Sequence, residues 1–331
     1  NNLYLAGWTG STNFPTTAGA FRTAYAGGLQ DGFVTKYNFT SNSLVYSTLL
    51  GGSNNDKIRD IALDSTGAVY ATGETTSPNF PVTLGAFKRT FTGFTAAFVT
   101  KINSDGSTLG YSSFIPSKGW VYGYGIAVDS AKNAYVTGTT VGATFPVTIG
   151  TYQTKTGGQY DAFVFKMNPT GSAPVYSTYL GGASDEIGVG IAVDKQGSAF
   201  ITGQTTSLDY PTTPNTFQFA SKGGVDSFVT QLSVDGKSLV YSTLVSGTAD
   251  DISRAIALDA LGRAYVTGFS TSLDFPTTAG VFQTANPTFA GTAFVLGIPA
   301  DKDTALSLSA PNGKIGQTIT VSGNLLHSRD N

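Results

Sequence analysis

The chain reads as a succession of short apolar runs rich in Val, Ile, Tyr, Phe and Thr, broken by Gly, Pro, Asp and Asn. Runs of that kind bounded by turn formers predict β-strands. Four strings carry them, of the types IAVD, AYVTG, AFVTK and LVYST, and their order repeats. Gly7, Gly73, Gly138, Gly203 and Gly268 each close a Tyr/Phe-x-x-Gly string, at spacings of 66, 65, 65 and 65 residues. The same register aligns the aromatic-Pro pairs Phe14-Pro15, Phe80-Pro81, Phe145-Pro146, Tyr210-Pro211 and Phe275-Pro276, and the Phe-Val pairs at Phe33, Phe98, Phe163, Phe228 and Phe294. Two further strings occur four times: Tyr-Ser at Tyr46, Tyr111, Tyr176 and Tyr241, and Ile-Ala-Leu/Val-Asp at Ile61, Ile126, Ile191 and Ile256. Between IAVD and YVTG, the segments 64–67, 194–197 and 259–262 open with Asp and end with Gly. There Asp accepts backbone N–H groups and Gly supplies positive φ, so tight hairpins are expected.

Four antiparallel strands per period of about 65 residues is the pattern of a propeller blade. The fold class is therefore all-β, a five-bladed β-propeller with four-stranded antiparallel blades. A parallel β-solenoid fits poorly, because each period alternates hairpins with one long loop. The string from Ile191 through YPTT at Tyr210–Thr213 to LVYST at Leu239 resembles the bacterial SBBP-type β-propeller repeats. The resemblance covers residues 1 to about 302 and implies an IAVD strand innermost, LVYST outermost, and a secreted or cell-surface setting in bacteria. It implies no reaction, since a fold does not fix a function.

The repeats thus occupy 1–302 and leave 303–331 with two readings. In one, Ala305–Ser309 stands where the LVYST strand is due, and Thr318–Ser322 supplies the innermost strand that the first blade lacks before Asn1. The ring is then closed by pairing of N- and C-terminal strands. In the other, the segment resembles the start of a bacterial Ig-like domain. Closure is preferred, because open propeller edges leave strand groups unpaired.

Composition narrows the function. Charged residues are 12% of the chain and the net charge is −2, which gives no basic footprint for nucleic acid. No apolar run approaches the ~20 residues of a membrane span. The absence of cysteine removes disulfides, zinc-thiolate sites and thiol nucleophiles. A low-Lys, Thr/Ser/Asn-rich chain suits an extracellular or cell-surface protein, with any export signal outside the sequence or removed. The sequon Asn38-Phe39-Thr40 reads as a polar loop. The single histidine, His327, cannot build a Ser-His-Asp triad or a His-based metal centre. No Walker-type loop or EF-hand spacing is present. No cofactor, metal or catalytic residue is expected.

Residues required by the fold recur in every blade, so candidates for function are those that break the pattern. The aromatic-Pro pairs and the following Phe21, Phe87, Tyr152, Phe217 and Phe282 recur and are expected to anchor the packing between blades, with Phe80, Phe145, Tyr210 and Phe275 buried. Asp64, Asp129, Asp194 and Asp259 recur as turn formers. The connection into the innermost strand is irregular: Asn55-Asp56, Trp120-Val121, Asp185-Glu186 and Asp250-Asp251, then Arg59, Tyr124, Val189 and Arg254 at a later column. The candidate ligand-binding set is Trp120, Tyr122, Tyr124, Arg59, Asp185, Glu186, Asp250, Asp251 and Arg254, at the mouth of the axial channel. Aromatic faces beside planar hydrogen-bonding groups suit a glycan or a peptide. A solvated charged rim is the plainer alternative, and Trp8 is a weaker candidate. The expected function is a non-catalytic binding, adhesion or scaffold module, whose partners include self-assembly and Ig-like neighbours. The alternatives are a carbohydrate-active enzyme on a five-bladed propeller and a structural subunit of an extracellular filament.

Overall fold

The recurring strings fall on strands in the order the periodicity predicts. The computed structural model describes residues 2–142, 144–214, 216–286, 291–299 and 307–309, and every regular element among them is a strand. Sheet 1 holds β1 (Asn2–Thr9), β2 (Asp31–Asn38) and β3 (Ser43–Leu50). Sheet 2 holds β4 (Asp56–Leu63), β5 (Val69–Thr75), β6 (Ala96–Ile102) and β7 (Leu109–Ile115). Sheet 3 holds β8 (Val121–Val128), β9 (Ala134–Val141), β10 (Tyr160–Met167) and β11 (Pro174–Leu180). Sheet 4 holds β12 (Glu186–Val193), β13 (Ala199–Thr205), β14 (Asp226–Leu232) and β15 (Leu239–Val245). Sheet 5 holds β16 (Asp251–Leu258), β17 (Ala264–Ser270), β18 (Thr292–Ile298) and β19 (Ser307–Ser309). Each sheet is a meander in chain order, with antiparallel neighbours. The chain divides into two units, 1–155 with 162–179 and 156–161 with 180–331.

The register explains the repeated glycine. Gly7, Gly73, Gly203 and Gly268 sit opposite Phe33, Phe98, Phe228 and Phe294 on the third strand of the repeat. On the other side the first strand bulges, between Ile58 and Asp60, Gly123 and Gly125, Gly188 and Gly190, and Ser253 and Ala255. The bulge pushes a carbonyl onto the glycine: a Cβ at 73, 138, 203 or 268 would collide with the oxygen of Lys57, Tyr122, Ile187 or Ile252. At Gly7 it would meet only the Phe33 ring, at 3.2 Å. No described strand pairs with the other edge of β1. There Leu3, Leu5 and Trp8 are 37%, 48% and 43% exposed, whereas β5, from the same string, is buried along its whole length.

β19 pairs with β18, Leu308 opposite Leu296, so the expected strand over Ala305–Ser309 is present in its described part. Thr318–Ser322, His327 and both alternatives for the rest of the tail lie outside the described residues.

The aromatic-Pro loops reach two sheets: Phe80 shares an apolar cluster with Val34 and Leu50 of sheet 1, and Phe145 one with Val99 and Ile115 of sheet 2. Each aromatic stacks on the Phe of its own sheet: Phe80 on Phe98 at 4.6 Å, Phe145 on Phe163 at 4.6 Å, Tyr210 on Phe228 at 4.6 Å and Phe275 on Phe294 at 4.9 Å. The loop lies along the outer strand of that sheet, where Ser112 Oγ donates to the Pro81 carbonyl at 2.6 Å. Phe21 and Phe87 make contact with the next sheet, donating their N–H to the carbonyls of Gly106 and Gly171, both at 2.8 Å, whereas Phe217 and Phe282, 41% and 74% exposed, do not serve as the expected packing anchors. Phe80, Phe145 and Tyr210 are buried, but Phe275 is only half-buried.

The hairpin aspartates behave as turn formers. Asp64 Oδ1 accepts the N–H of Thr66 at 2.9 Å and Asp194 Oδ1 that of Ser198 at 2.8 Å, while Asp129 and Asp259 accept from Asn133 and Arg263. In the first unit, one apolar cluster centres on Val34, Phe98 and Phe114 and another on Tyr70, Val136 and Phe163. In the second unit Phe200, Val266, Phe294 and Leu296 pack together.

Candidate functional site

Four of the nine predicted site residues belong to the first unit and five to the second. In the first unit the bulge in β4 turns Arg59 toward β5, where its guanidinium grips Glu74: Nε donates to Oε2 at 2.9 Å and Nη2 to Oε1 at 2.7 Å. Lys57 Nζ lies 3.3 Å from the same carboxylate. The hydrogen bonds that Arg59 donates to Glu74 raise the Arg59 pKa further against the opposing effect of burial. Aromatic rings flank the guanidinium, with Trp8 5.0 Å and Tyr124 5.9 Å from Arg59 Cζ, and Lys57 also lies over Trp8. Such cation–π contacts fix the planar head between two faces. Tyr122 and Tyr124 lie parallel at 8°, 6.1 Å apart, as alternate residues of one strand face. Burial pushes the Tyr124 hydroxyl up to about 12, with the Glu74 charge adding to it, so it is a neutral donor at any physiological pH.

Trp120 is the fourth member. It stands just before β8, is 40% exposed and stacks at 4.9 Å and 23° on Phe94, itself 64% exposed. A bridge between Thr95 and Trp120 and a 3.0 Å bond from Val121 N to the Thr95 carbonyl hold it extended. Trp120 therefore continues the alternation of β8, in which Val121 and Gly123 are buried and Tyr122 and Tyr124 half-buried.

In the second unit the predicted acids form the links between successive repeats. Asp185 Oδ1 accepts the N–H of Tyr160 at 3.2 Å, and Asp250 Oδ1 that of Val225 at 3.0 Å. Glu186 and Asp251 are fully buried. Glu186 accepts Thr205 Oγ1 at 2.5 Å and Gly182 N at 3.0 Å, and Asp251 accepts Gly247 N at 2.6 Å and Ser272 Oγ at 2.8 Å. Arg254 is exposed, with its guanidinium 5.3 Å from the Phe269 ring. Buried, hydrogen-bonded carboxylates of this kind hold strands together and offer nothing to a ligand.

Each buried acid at a link between repeats has a like-charged neighbour. Asp56 faces Asp31, Glu186 faces Asp161 and Asp251 faces Asp226, and all six are fully buried or 1% exposed. A Cβ on Gly51 would collide with Asp31 Oδ1 and stand 3.0 Å from Asp56 Oδ2, so the two carboxylates converge beside that glycine. Asp31 Oδ1, Asp226 Oδ1 and Asp251 Oδ1 are buried without a hydrogen-bond partner. Burial pushes Asp56 up to about 6 and Glu186 up to about 7, and each neighbouring carboxylate adds to the rise. At the equivalent link between sheets 2 and 3 the pair is Ala96 and Val121, both fully buried.

Sequence reasoning passed over Glu74, Lys57, Phe94 and Asp60. Glu74 is the carboxylate in a column otherwise held by Trp8, Thr139, Gln204 and Phe269, and Asp60 stands where Gly125, Gly190 and Ala255 stand. Asp60 receives the N–H of Ile126 at 2.9 Å and of Ile61 at 2.8 Å, which ties β4 to β8. Among the described residues no group of three or more His, Cys, Asp or Glu side chains could hold a metal ion.

Residues 45–81, 119–146 and 175–211 match the family model described as SBBP: Beta-propeller repeat. No curated protein matches the chain. Similar solved structures include a protein of unknown function from Bacteroides caccae, at 12% identity and TM-score 0.39 over 71% of this chain and 61% of that one. The chain thus spans 61% of the length of that protein. BamB from Moraxella catarrhalis is similar at 11% identity and TM-score 0.28, over 98% of this chain and 91% of that one. A glucose dehydrogenase is similar at 12% identity and TM-score 0.30, over 85% of this chain and 95% of that one.

Proposed function

We propose that this chain, built of SBBP β-propeller repeats, is a non-catalytic extracellular or cell-surface module that binds through the aromatic and cationic face of its first three sheets. The observation that carries the reading is Arg59, held by Glu74 and flanked by Trp8 and Tyr124, beside the parallel pair Tyr122–Tyr124. These side chains are pre-positioned, and although Arg254 repeats Arg59, the Glu74, Trp8 and Tyr124 that hold Arg59 have no like counterpart in the other repeats. Enzymatic acid/base work would need a carboxylate held for proton transfer. Glu74 is instead committed to two cations and Asp60 to two backbone N–H groups.

Trp8 and Trp120 are the only two tryptophans, so fluorescence reads the face directly. Titration with the bound ligand changes wild-type emission, and the Trp8→Phe and Trp120→Phe variants divide that change between them. A ligand that binds without altering either tryptophan would place the site elsewhere.

The same reading includes ring closure, in which a strand from 303–331 pairs with β1. Gly7 supports it: the Phe33 ring crowds the glycine only at 3.2 Å, where a bulged neighbouring strand would require it outright, and β1 exposes apolar side chains where β5 is buried. Gly7→Ala is expected to destabilise the full chain as Gly73→Ala does, by about 1–3 kcal/mol, because both force a methyl onto a carbonyl. In a chain ending at residue 302, Gly7→Ala becomes near neutral. A near-neutral Gly7→Ala in the full chain, measured by denaturant unfolding, contradicts closure.

A further inference from the structure

We infer that the patch of Phe94, Trp120 and Lys118, running on along β8 through Tyr122 and Tyr124, takes an acidic glycan, a chain of carboxylate-bearing pyranoses. The inference rests on the binding reading above and names its ligand. The link between sheets 2 and 3 is rewritten at several positions together. The links elsewhere carry Asp31 with Asp56, Asp161 with Asp185 and Glu186, and Asp226 with Asp250 and Asp251. Here the corresponding residues are Ala96, Trp120 and Val121, and Lys118 stands where Ser53, Ala183 and Thr248 stand elsewhere. Packing explains Ala96 and Val121, which are fully buried. It does not explain Phe94 and Trp120, which stack on each other yet leave 64% and 40% of their surface in water.

Two stacked rings on the surface present a flat apolar plate of the kind that C–H faces of a pyranose cover, with hydroxyls left to the rim. Extended backbone places 120, 122 and 124 on one side of the strand, and four strand steps give a row of about 13 Å. That row suits an extended oligomer. Charge selects the acid form. Lys118 precedes the plate, Arg59 lies over Tyr124, and Lys57 and Arg59 share the single carboxylate of Glu74, while the Asp60 carboxylate is engaged by the backbone N–H groups of Ile61 and Ile126. An anionic sugar would meet no carboxylate at this link, whereas Asp185 and Asp250 stand exposed at the links of the second unit.

The test uses the full chain, calorimetric titration at fixed salt, and paired probes of one backbone: oligogalacturonate and its methyl ester, with alginate and hyaluronan oligomers beside them. The expected result is binding of at least one acid glycan, at least tenfold weaker binding of the uncharged ester, and a loss of tenfold or more in Phe94→Ala, Trp120→Ala and Lys118→Gln. These side chains are surface-exposed, so unchanged thermal melts certify the fold of each variant. Equal binding of acid and ester would overturn the acidic-glycan assignment and leave the binding face standing. Preference for a peptide or a single-stranded oligonucleotide, included as competitors, would overturn the ligand class in the same way. No glycan binding, with tryptophan emission unmoved by every probe, would overturn both.

Discussion

Truncation of Phe80 to Ala is expected to lower the free energy of unfolding by about 3–5 kcal/mol, the cost of removing a large buried aromatic and leaving a cavity. Phe80 is 2% exposed and lies between Phe98 at 4.6 Å and Phe114 at 6.1 Å. The backbone cannot follow the missing ring inward. Thr83 N is bonded to the Ser112 carbonyl at 3.0 Å, and Ser112 Oγ to the Pro81 carbonyl at 2.6 Å, which pins the loop to β7 on both sides of the turn. Phe275→Ala costs less, because Phe275 is half-buried before any change. Tyr210→Phe isolates the hydroxyl, which shares a 2.8 Å hydrogen bond with Thr230 Oγ1, and is expected to cost about 1 kcal/mol. Denaturant unfolding checks the series, and wild-type stability in Phe80→Ala would reject the anchoring role.

The second large effect is a dependence of stability on pH opposite to ordinary acid denaturation. Asp56 and Glu186 have folded-state pKa values of about 6 and about 7, above the ordinary carboxylate range, chiefly because they are buried. A group raised on folding holds its proton more tightly in the folded state, so its contribution is complete below the unfolded pKa and is lost as pH rises through the folded pKa. The window therefore runs from about pH 4 to pH 7. The carboxylate pairs Asp31–Asp56 and Asp161–Glu186, each a clasp between successive repeats, are expected to lose about 2–3 kcal/mol apiece across it. Asp31 and Asp161 share the rise; the Arg22 guanidinium partly offsets it at Asp31, while Asp185 adds to it at Asp161. Lys222 opposes it at Asp226, and Tyr25 faces Asp31 and Asp56.

Asp31→Asn supplies the matching variant. Asp31 Oδ2 accepts Ala26 N at 2.6 Å, whereas Oδ1 has no partner and converges with Asp56 at Gly51. An amide NH2 at that position removes one charge and can donate to Asp56. The variant is expected to gain stability at pH 8, to gain little at pH 4.5, and to lower the Asp56 pKa. Thermal melts from pH 4 to pH 8 that rise monotonically for wild type would contradict the clasp.

Recurrence made the fold legible, because whatever every repeat needs must appear in every repeat. The hairpin aspartates and the four-strand order were readable on that ground, whereas the pairing of the recurring Gly with the recurring Phe needed the register. The same logic misdirected part of the site. Asp185-Glu186 and Asp250-Asp251 drew notice because Trp120-Val121 interrupted their column, yet the acids are the recurring joint and the aromatics the departure. The column that would have revealed this, Asp31, Ala96, Asp161 and Asp226, changes in step with the first, because the two residues touch across a link about 25 positions wide. The Arg59–Glu74 grip was hidden for a different reason: it depends on a bulge that turns Arg59 across to β5, and a bulge leaves no mark in side-chain alternation. Periodicity shows the spacing of the aromatic-Pro loops but not their path, which runs along the outer strand of their own sheet.

The claim that the face of β4, β5 and β8 binds without turnover is tested most directly by mass analysis of a bound glycan or peptide after long incubation with the full chain. The account predicts that the ligand is recovered intact, that Trp120→Ala and Tyr124→Ala weaken its binding, and that Glu74→Gln weakens binding by releasing Arg59. Cleaved ligand, with cleavage abolished by Glu74→Gln or Asp60→Asn while binding persists, would contradict it and make the face an active site.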